Sequence, residues 1–375
     1  MSFNIQILKA SGTTVYIRAT GEVEGTDKIH RDGDFYIFTD IINDEITVER
    51  NNVIIDGAGY TLHGYGYESK GIYSQGTNIT VRNMNINGFM YGVSFWYSSS
   101  NNTIFGNNIT DTVYGIWIYR SSSNRIFGNK LTSNSYGIDL ESSWDNTLYE
   151  NVIAISKNGG IYSSYSSNNT ISQNTITGVY YSWGIGVTGC SDNNVTDNTI
   201  VDTLSGIRLL DSSNNNIFHN NFVNNTEQVY SWNSTNVWDD GYPSGGNYWS
   251  DYAGTDIYNG MYQNETGCDW IGDNPQIIDE NNRDNYPLMY PFALEMEEIR
   301  IAYRNLLLRI TDLQGKYDSI QQQITSLNST LTSGQEAIIN ELINIRNVMY
   351  IFIATTIIFI ATAVYLAIRK PKKKP

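Results

Sequence analysis

Aromatic and acidic side chains recur in register along a repeated strand pattern. The phrase Gly-φ-x-φ, in which φ is apolar, starts at Gly92, Gly115, Gly137, Gly160, Gly184 and Gly206. Alternate residues of a strand point to opposite faces, so the φ residues point inward, whereas x and the residue after the second φ point outward. The first outward column is Ser94, Trp117, Asp139, Tyr162, Gly186 and Arg208, and the second is Trp96, Tyr119, Glu141, Ser164, Thr188 and Leu210.

These columns predict a surface that binds glycans. Four aromatic side chains would share one face with Asp139 and Glu141: Trp96, Trp117, Tyr119 and Tyr162. Flat rings offer apolar surface to a sugar, and carboxylates accept hydrogen bonds from its hydroxyls. The two carboxylates are also candidates for the acid/base pair of glycoside cleavage, which leaves a polysaccharide hydrolase or lyase as the alternative. A plain solvated face of a Tyr-rich β protein would show the same residue types.

A repeat of about 22 residues positions these side chains. The phrase Asn-x-φ-x-x-Asn-x-φ starts at Asn102, Asn124, Asn146, Asn169, Asn193 and Asn215, and the Gly-φ phrases from Gly71 onward keep spacings of 21 to 24. Self-similarity at one fixed period is typical of a solenoid, in which each repeat buries its apolar side against its neighbours.

The pattern within each repeat favours a β-helix. Apolar residues alternate, Gly, Asn and Ser interrupt the runs, and the Leu-x-x-Leu-x-Leu run of leucine-rich repeats is missing. Three short strands fit one coil, and about eight coils stacked about 4.8 Å apart would form a rod of roughly 40 Å. Asn tolerates the left-handed backbone of a sharp corner, and its amide can bond the Asn of the next coil, so we interpret the Asn columns as structural ladders.

Composition favours a location outside the cytosol and argues against nucleic acid as a partner. Charged residues make up only 16% of the chain, which contains 28 Tyr and 32 Gly and has a net charge of −15. This polar, uncharged and aromatic balance favours an extracellular β-rich protein. An acidic body repels nucleic acid, so no nucleic-acid partner is expected.

Both ends of the rod carry distinct segments. Residues 1–50 are predicted to form a β cap that hides the open edge of the first coil, residues 51–230 form the coils, and residues 231–292 form a C-terminal cap. Trp238, Tyr248, Trp249 and Trp270 would cover the last coil. Oxygen-rich loops suit Ca²⁺, although the spacing here matches no calcium motif. The candidate ligands are Asp239, Asp251, Asp256, Asp269 and Asp273.

Four features carry a resemblance to a known family: Arg31-Asp32-Gly33-Asp34, the run from Asn52 to Leu62, the Ser/Asn-rich coils, and the run from Gly246 to Tyr252. They resemble archaeal surface proteins with NosD-like right-handed parallel β-helix repeats over about residues 13–290. The resemblance implies a right-handed parallel β-helix and membership of a wider group that is described as carbohydrate-binding proteins and sugar hydrolases. The relatives that give the family its name serve copper delivery in nitrous oxide reductase maturation.

Copper handling is the least supported of these functions. The chain contains three His, at positions 30, 63 and 219, and no cluster of Met and His of the kind that copper prefers. Its two cysteines are Cys190 and Cys268. They form either one disulfide between the rod and the cap or two unpaired, buried thiols, and the sequence leaves both alternatives open.

After Pro291 the apolar period changes to heptads. Over residues 293–347, steps of four and three predict a coiled-coil stalk that joins copies of the chain into a dimer or trimer, and its heptads from Met296 to Ile345 would span about 75 Å. A helix folded back on the rod is the alternative. The seam runs through Ile299, Tyr303, Leu306, Ile310, Leu313, Tyr317, Ile320, Ile324, Leu327 and Leu331, and Gly334 interrupts it.

The C-terminal segment predicts a membrane span. Residues 348–368 contain no charge and are long enough to cross a bilayer. Five basic residues follow within 369–375, so the tail is expected in the cytoplasm and the rod outside the cell, as a single-pass membrane protein. The first residues show no secretory signal, so we expect another export route or a different start.

Nine Asn-x-Ser/Thr sites fit an extracellular placement. They are Asn78, Asn101, Asn108, Asn168, Asn194, Asn224, Asn233, Asn264 and Asn328. The sequence therefore predicts a membrane-anchored surface β-helix with a non-catalytic cell-envelope, adhesion or glycan-binding role.

Overall fold

The computed structural model of the chain describes residues 14–292, 313, 315–325 and 336–368. The chain divides into two units, residues 1–296 and residues 297–375. The first unit is an all-β parallel solenoid of about nine turns, one more than the eight that the repeat predicts.

The strands are short and follow one another in a fixed rhythm. The N-terminal strands are β1 (Val15–Ile17), β2 (Val23–Glu24), β3 (Ile29–Asp32), β4 (Phe35–Phe38), β5 (Ile46–Val48), β6 (Val53–Asp56), β7 (Thr61–Ser74), β8 (Ile79–Arg82) and β9 (Asn85–Trp96). The regular coils contain β10 (Thr103–Phe105), β11 (Asn108–Thr110), β12 (Tyr114–Tyr119), β13 (Arg125–Phe127), β14 (Lys130–Thr132), β15 (Tyr136–Glu141), β16 (Thr147–Tyr149), β17 (Val152–Ala154), β18 (Gly159–Ser164), β19 (Thr170–Ser172), β20 (Thr175–Thr177), β21 (Trp183–Thr188), β22 (Asn194–Thr196), β23 (Thr199–Val201), β24 (Ser205–Leu210), β25 (Asn216–Phe218), β26 (Asn221–Val223) and β27 (Glu227–Trp232). The cap adds β28 (Tyr248–Trp249), β29 (Tyr258–Asn259), β30 (Glu265–Thr266), β31 (Gln276–Ile277) and β32 (Arg283–Asp284).

Each regular coil contributes one strand to each of three parallel sheets, as predicted. Face 1 runs from β4 through β6, β8 and β10 to β25. Face 2 runs from the first halves of β7 and β9 through β11 to β28. Face 3 runs from β1 and β5 through the second halves of β7 and β9 to β12, β15, β18, β21, β24 and β27.

The core is a stack of apolar columns inside the coil. Every face contributes residues with no exposed surface: Ile104, Ile126, Leu148 and Ile171 from face 1, Ile109, Leu131, Ile153 and Ile176 from face 2, and Ile116, Ile138, Ile161 and Ile185 from face 3. The Gly of the Gly-φ phrase is needed because neighbouring coils approach closely. A Cβ on Gly137 would lie 2.5 Å from the carbonyl oxygen of Gly160.

The predicted Asn ladders form at two corners of the coil. Asn124 Nδ2 donates to Asn146 Oδ1 at 3.0 Å, and Asn129 Nδ2 donates to Asn151 Oδ1 at 3.0 Å, with the same bond repeated from coil to coil. The predicted reason needs a correction. The left-handed backbone lies on the residue just before each ladder Asn, such as Ser123 or Glu150, and the ladder Asn itself points its amide inward.

A third ladder, at the corner after face 3, explains one cysteine. Ser121 N donates to Ser143 Oγ, and Ser143 N donates to Ser166 Oγ. In the next coil Cys190 takes the serine position, and its Sγ accepts from Ser166 N at 3.3 Å. Cys190 is buried and Cys268 is exposed, and both are free thiols, so the disulfide alternative is not realised here and only one of the two thiols is buried.

Both ends of the solenoid are covered. At the N-terminal end, β2 and β3 pair antiparallel with β1 and β4. At the other end Trp238 and Trp249 are buried against the last coils, whereas Tyr248 and Trp270 remain partly exposed. The buried Asp284 carboxylate accepts from Trp249 Nε1 at 2.9 Å and from two backbone N–H groups, which fixes the cap.

The second unit is helical where it is described. Residues 315–325 are helical, and α1 covers Glu336–Ile368. Tyr317 and Tyr350 contact each other with ring centroids 4.9 Å apart, so these stretches do not lie end to end in one straight helix. Most of the heptad seam lies outside the described residues, and the coiled-coil stalk stays a prediction. Within α1, Asn340–Val364 is long and apolar enough to cross a membrane, and none of it is buried.

Candidate functional site

Face 3 carries three outward columns of side chains. The register pairs Trp117 with Asp139, Asp139 with Tyr162, and Gly186 with Arg208, as the repeat predicts. A further outward column, one residue before each Gly of the Gly-φ phrase, was missed from the sequence. It consists of Tyr91, Tyr114, Tyr136, Gly159, Trp183 and Ser205. Its signal is the Tyr-Gly or Trp-Gly dipeptide that opens four of the copies.

We call the surface formed by these columns the aromatic face. Its rings pack on one another at the end nearer the N-terminus. Trp117 stacks on Tyr91 with centroids 4.5 Å apart and planes 12° apart, and Trp96 meets the Trp117 ring edge-on at 5.0 Å. Tyr114 stacks on Tyr136 at 5.1 Å. Such contacts fix ring orientation and leave a broad, partly exposed apolar surface that suits the flat side of a sugar ring.

Asp139 lies buried among these rings. Only 6% of its surface is exposed, so the alternative of a plain solvated face does not hold for this carboxyl, whereas Glu141 is partly exposed. Its Oδ1 has no hydrogen-bond partner. Burial, reinforced by the nearby Glu141 carboxylate, raises the pKa of Asp139 to about 8. Burial, together with Asp139, raises the pKa of Tyr114 to about 12.

The aromatic face also contains indole N–H groups without acceptors. Trp96, Trp117 and Trp183 each have a buried Nε1 that no group of the described residues accepts. Together with Asp139 Oδ1 they are half of the eight buried unpaired side-chain atoms in the described part of the chain. Native proteins pair nearly all buried polar groups, so these atoms are positions where a ligand hydroxyl or an ordered water would find a partner.

The arrangement can bind sugars, and it offers a limited acid/base chemistry. Asp139 and Glu141 stand two residues apart on one strand, so their Cα atoms are about 7 Å apart. A carboxyl that keeps its proton near neutral pH can serve as a general acid beside a second carboxylate. Tyr162 lies in the coil after Asp139, with its ring 5.8 Å from that of Trp183.

The predicted calcium ligands are occupied by the protein itself. Asp273 accepts hydrogen bonds from Thr255 and the backbone of Ile257 and Tyr258, and Asp256 accepts from the backbone of Asp269 and Trp270. Asp239 and Asp251 likewise accept from neighbouring side chains. Within the described residues no three His, Cys, Asp or Glu side chains come together in a way that could hold a metal ion.

The histidines do not form a copper site. His30 lies exposed on β3, His63 on β7 contacts Asn87, and His219 stacks on Phe292 at 4.1 Å. They occupy separate positions along the solenoid, and His219 has one carboxylate, that of Asp197, at 3.8 Å. The donor set in the described part of the chain therefore does not fit copper.

The predicted glycosylation sites lie on the surface. All eight sequon Asn residues that fall within the described part of the chain are exposed, and Asn328 lies outside it. Glycosylation itself stays a prediction.

Comparison with known proteins agrees with this architecture. A family model described as "Periplasmic copper-binding protein (NosD)" matches residues 42–254, which is more than half of the chain. Among solved structures, a mutant of the periplasmic alginate epimerase AlgG has a TM-score of 0.47 and 17% identity, covering 62% of this chain and 67% of its own. An alginate lyase from Paenibacillus sp. str. FPU-7 has a TM-score of 0.40 and 16% identity, covering 58% and 91%. No curated protein is significantly similar in sequence.

Proposed function

The chain belongs to the NosD family, and on that premise we propose that it is a membrane-anchored, non-catalytic surface protein that binds a glycan along its aromatic face. The observation that carries this proposal is the plate of Tyr91, Trp96 and Trp117 beside the buried, unpaired carboxyl of Asp139. Rings supply contact area to sugar faces, and hydroxyl groups can both donate and accept where the protein lacks partners.

The second unit supports a membrane anchor. The apolar stretch Asn340–Val364 fits a single span. We propose that the solenoid lies outside the membrane and the basic tail inside, by the charge asymmetry around the span. The coiled coil would pair copies of the chain and so present several aromatic faces at once, which raises apparent affinity for a repeating polymer.

Glycan binding is tested with the full chain in detergent micelles. Binding of neutral polysaccharides is measured by isothermal titration for the wild type, Trp96→Ala and Trp117→Ala. We expect each substitution to weaken binding by about fivefold to tenfold, since loss of a stacked aromatic contact costs about 1–1.5 kcal/mol. Trp144→Ala, a change at an exposed ring on the corner between β15 and β16, serves as the matched control and should bind like the wild type. Equal affinity in all four proteins would refute the proposal.

A polysaccharide hydrolase or lyase is the second candidate, and the raised pKa of Asp139 favours it. In that case Asp139 would protonate the leaving oxygen and Glu141 would act as base or nucleophile. The test is incubation with neutral and acidic polysaccharides, with and without Ca²⁺, and mass spectrometry of released oligosaccharides. Products that form with the wild type and vanish in Asp139→Asn and Glu141→Gln would replace the binding function by this one.

A metal-handling role, as in the name of the family, has the least support. The three His residues are dispersed, and the Asp side chains of the cap are engaged in hydrogen bonds with the protein. Calcium binding at Asp239, Asp251, Asp256, Asp269 and Asp273 stays a prediction.

A further inference from the structure

The aromatic face changes character toward the C-terminal coils. In the coils of β12 and β15 its outward columns hold stacked Tyr and Trp rings. In the coils of β18 and β21 two column positions are glycine, and the indole of Trp183 occupies the space above them. A Cβ at Gly186 would lie 2.3 Å from Trp183 Nε1, and a Cβ at Gly159 would lie 2.9 Å from it. The indole therefore lies directly against the backbone of two adjacent strands.

A guanidinium covers this indole. Arg208 Cζ stands over the Trp183 ring, 4.8 Å from its centroid, and lies 5.6 Å from the centroid of Tyr230. Stacking of this kind holds the planar fork of an Arg side chain in one orientation while its N–H edges stay free. Within the described residues no carboxylate lies within ion-pair distance of Arg208. The side chain is partly exposed and offers a fixed cation without a counter-ion.

The position of this cation relates it to the glycan-binding surface. Arg208 stands in the same outward column as Asp139, three coils further along, which is about 14 Å at the spacing of parallel strands. A polymer that lies along the solenoid axis over Trp117 and Asp139 would extend across Tyr162 to Trp183 and Arg208. The surface at Trp117 and the pair formed by Trp183 and Arg208 would then contact sugar units of the same polymer.

We propose that Trp183 and Arg208, seated on Gly159 and Gly186, form a second subsite that selects a carboxylate-bearing sugar, a uronic acid. The inference rests on the proposed glycan-binding function and names the class of its ligand. The guanidinium fork can donate two parallel N–H···O bonds to the two oxygens of a planar carboxylate. The hydroxymethyl group of a neutral sugar has one uncharged oxygen and cannot form this pair. A sulfate ester offers negative charge without the planar geometry, so it serves as the discriminating probe.

The experiment compares three polymers on the full chain in detergent at about 0.15 M salt, where charges more than about 8 Å apart are largely screened. The polymers are polygalacturonate, the same polymer with its carboxyl groups reduced, and a sulfated galactan. The proteins are the wild type, Arg208→Gln, Arg208→Lys and Trp117→Ala. Arg208→Lys is the matched control because it keeps the charge and removes the fork.

We expect the wild type to bind polygalacturonate about tenfold more tightly than the reduced polymer, because the direct, charge-assisted pair of hydrogen bonds outweighs the repulsion from the acidic body, which this salt concentration screens. Arg208→Gln should abolish that preference and leave affinity for the reduced polymer unchanged, and Arg208→Lys should retain only part of it. Trp117→Ala should weaken both polymers alike.

Four results would overturn the proposal, each in a recognisable way. If Arg208→Gln keeps the preference, the subsite is wrong while the glycan-binding function stands. If the sulfated galactan binds as tightly as polygalacturonate and depends equally on Arg208, the site reads charge and not a carboxylate. If neither polygalacturonate nor its reduced form binds the wild type, the uronic-acid subsite is wrong; if Trp117→Ala binds the reduced polymer as the wild type does, the glycan-binding function of the aromatic face fails and the subsite with it.

Discussion

The corner ladders and the aromatic face are both columns of similar side chains repeated from coil to coil, yet they differ in how their polar atoms are satisfied. Asn146 Oδ1 accepts from the backbone N and the Nδ2 of Asn124, and its own Nδ2 donates to Ser121 O and Asn169 Oδ1. On the aromatic face, three indole N–H groups and Asp139 Oδ1 have no partner. A polar column that satisfies itself stabilises the fold, whereas one with unpaired atoms is suited to a ligand.

The largest effect that tests this contrast is expected from the ionisation of Asp139. Its pKa is raised to about 8, so the folded protein keeps a proton that the unfolded chain has released. The free energy of unfolding should therefore fall as pH rises from about 4 to about 8, by up to about 5 kcal/mol. Asp139→Asn cannot ionise and should lack this loss, so it should be the more stable protein at pH 8. Urea unfolding at pH 5 and pH 8, followed by tryptophan fluorescence, measures both slopes.

The control for this prediction is Asp111→Asn, which changes an exposed carboxyl at a neighbouring corner. It should show the pH dependence of the wild type. Asp284 is also buried with a raised pKa, and it contributes the same background to all three proteins. Parallel slopes for the wild type and Asp139→Asn would mean that Asp139 is solvated and that the aromatic face resembles any other exposed strand.

The second test removes hydrogen bonds from an Asn ladder and leaves the aromatic face unchanged. Asn146→Ala removes four side-chain hydrogen bonds and leaves buried groups of Asn124 and Ser121 without partners. We expect a loss of about 3 kcal/mol in the free energy of unfolding, with glycan affinity unchanged. Asn158→Ala, at an exposed Asn on the surface of the next coil, is the matched control and should cost less than about 0.5 kcal/mol. Equal urea midpoints for the two variants would show that the ladder is dispensable.

The sequence predicts the coils and ladders well because one period sets both the register and the buried columns. The inward Ile residues and the Asn bonds follow directly from spacing. The aromatic face is predicted only in part. Alternation identifies which residues point outward, but the burial of Asp139 depends on the side chains that flank it in the neighbouring coils, where Trp117 and Tyr162 hold the paired positions. That packing is a contact between coils, which a repeat pattern does not contain.

Two other features lie outside what the repeat pattern specifies. The column that begins with Tyr91 does not follow from the Gly-φ-x-φ pattern, because the pattern starts at the Gly and leaves out the residue before it, which belongs to the same strand. Heptad steps specify a buried seam and not the partner that covers it, so the coiled-coil stalk stays a prediction. Of the seam residues, Tyr317 contacts Tyr350 of the same chain.

The third test concerns the glycines that seat Trp183. In Gly186→Ala the new Cβ would overlap the indole, so Trp183 and the Arg208 stacked on it should shift. We expect a stability loss of about 1 kcal/mol and a loss of the preference for polygalacturonate. Thr175→Ala, on β20 of face 2, is the control and should alter neither. An unchanged preference in Gly186→Ala would show that the position of the indole does not matter for binding.

The smallest effect is expected where a ladder contains an unusual atom. Cys190 occupies a serine position, where its Sγ accepts from Ser166 N and approaches the carbonyl oxygens of Ser163 and Thr188. Cys190→Ser places an oxygen with the same donor and acceptor capacity there, so we expect a change of less than about 1 kcal/mol in the free energy of unfolding. Cys190→Val keeps the bulk but leaves the buried Ser166 N unpaired, and it should cost about 1–3 kcal/mol. If Val is tolerated as well as Ser, the thiol is there for packing and the third ladder is not a hydrogen-bonded ladder at that coil.

Burial also raises the pKa of the Cys190 thiol, so in the folded protein the exposed Cys268 should react with iodoacetamide well before Cys190 does.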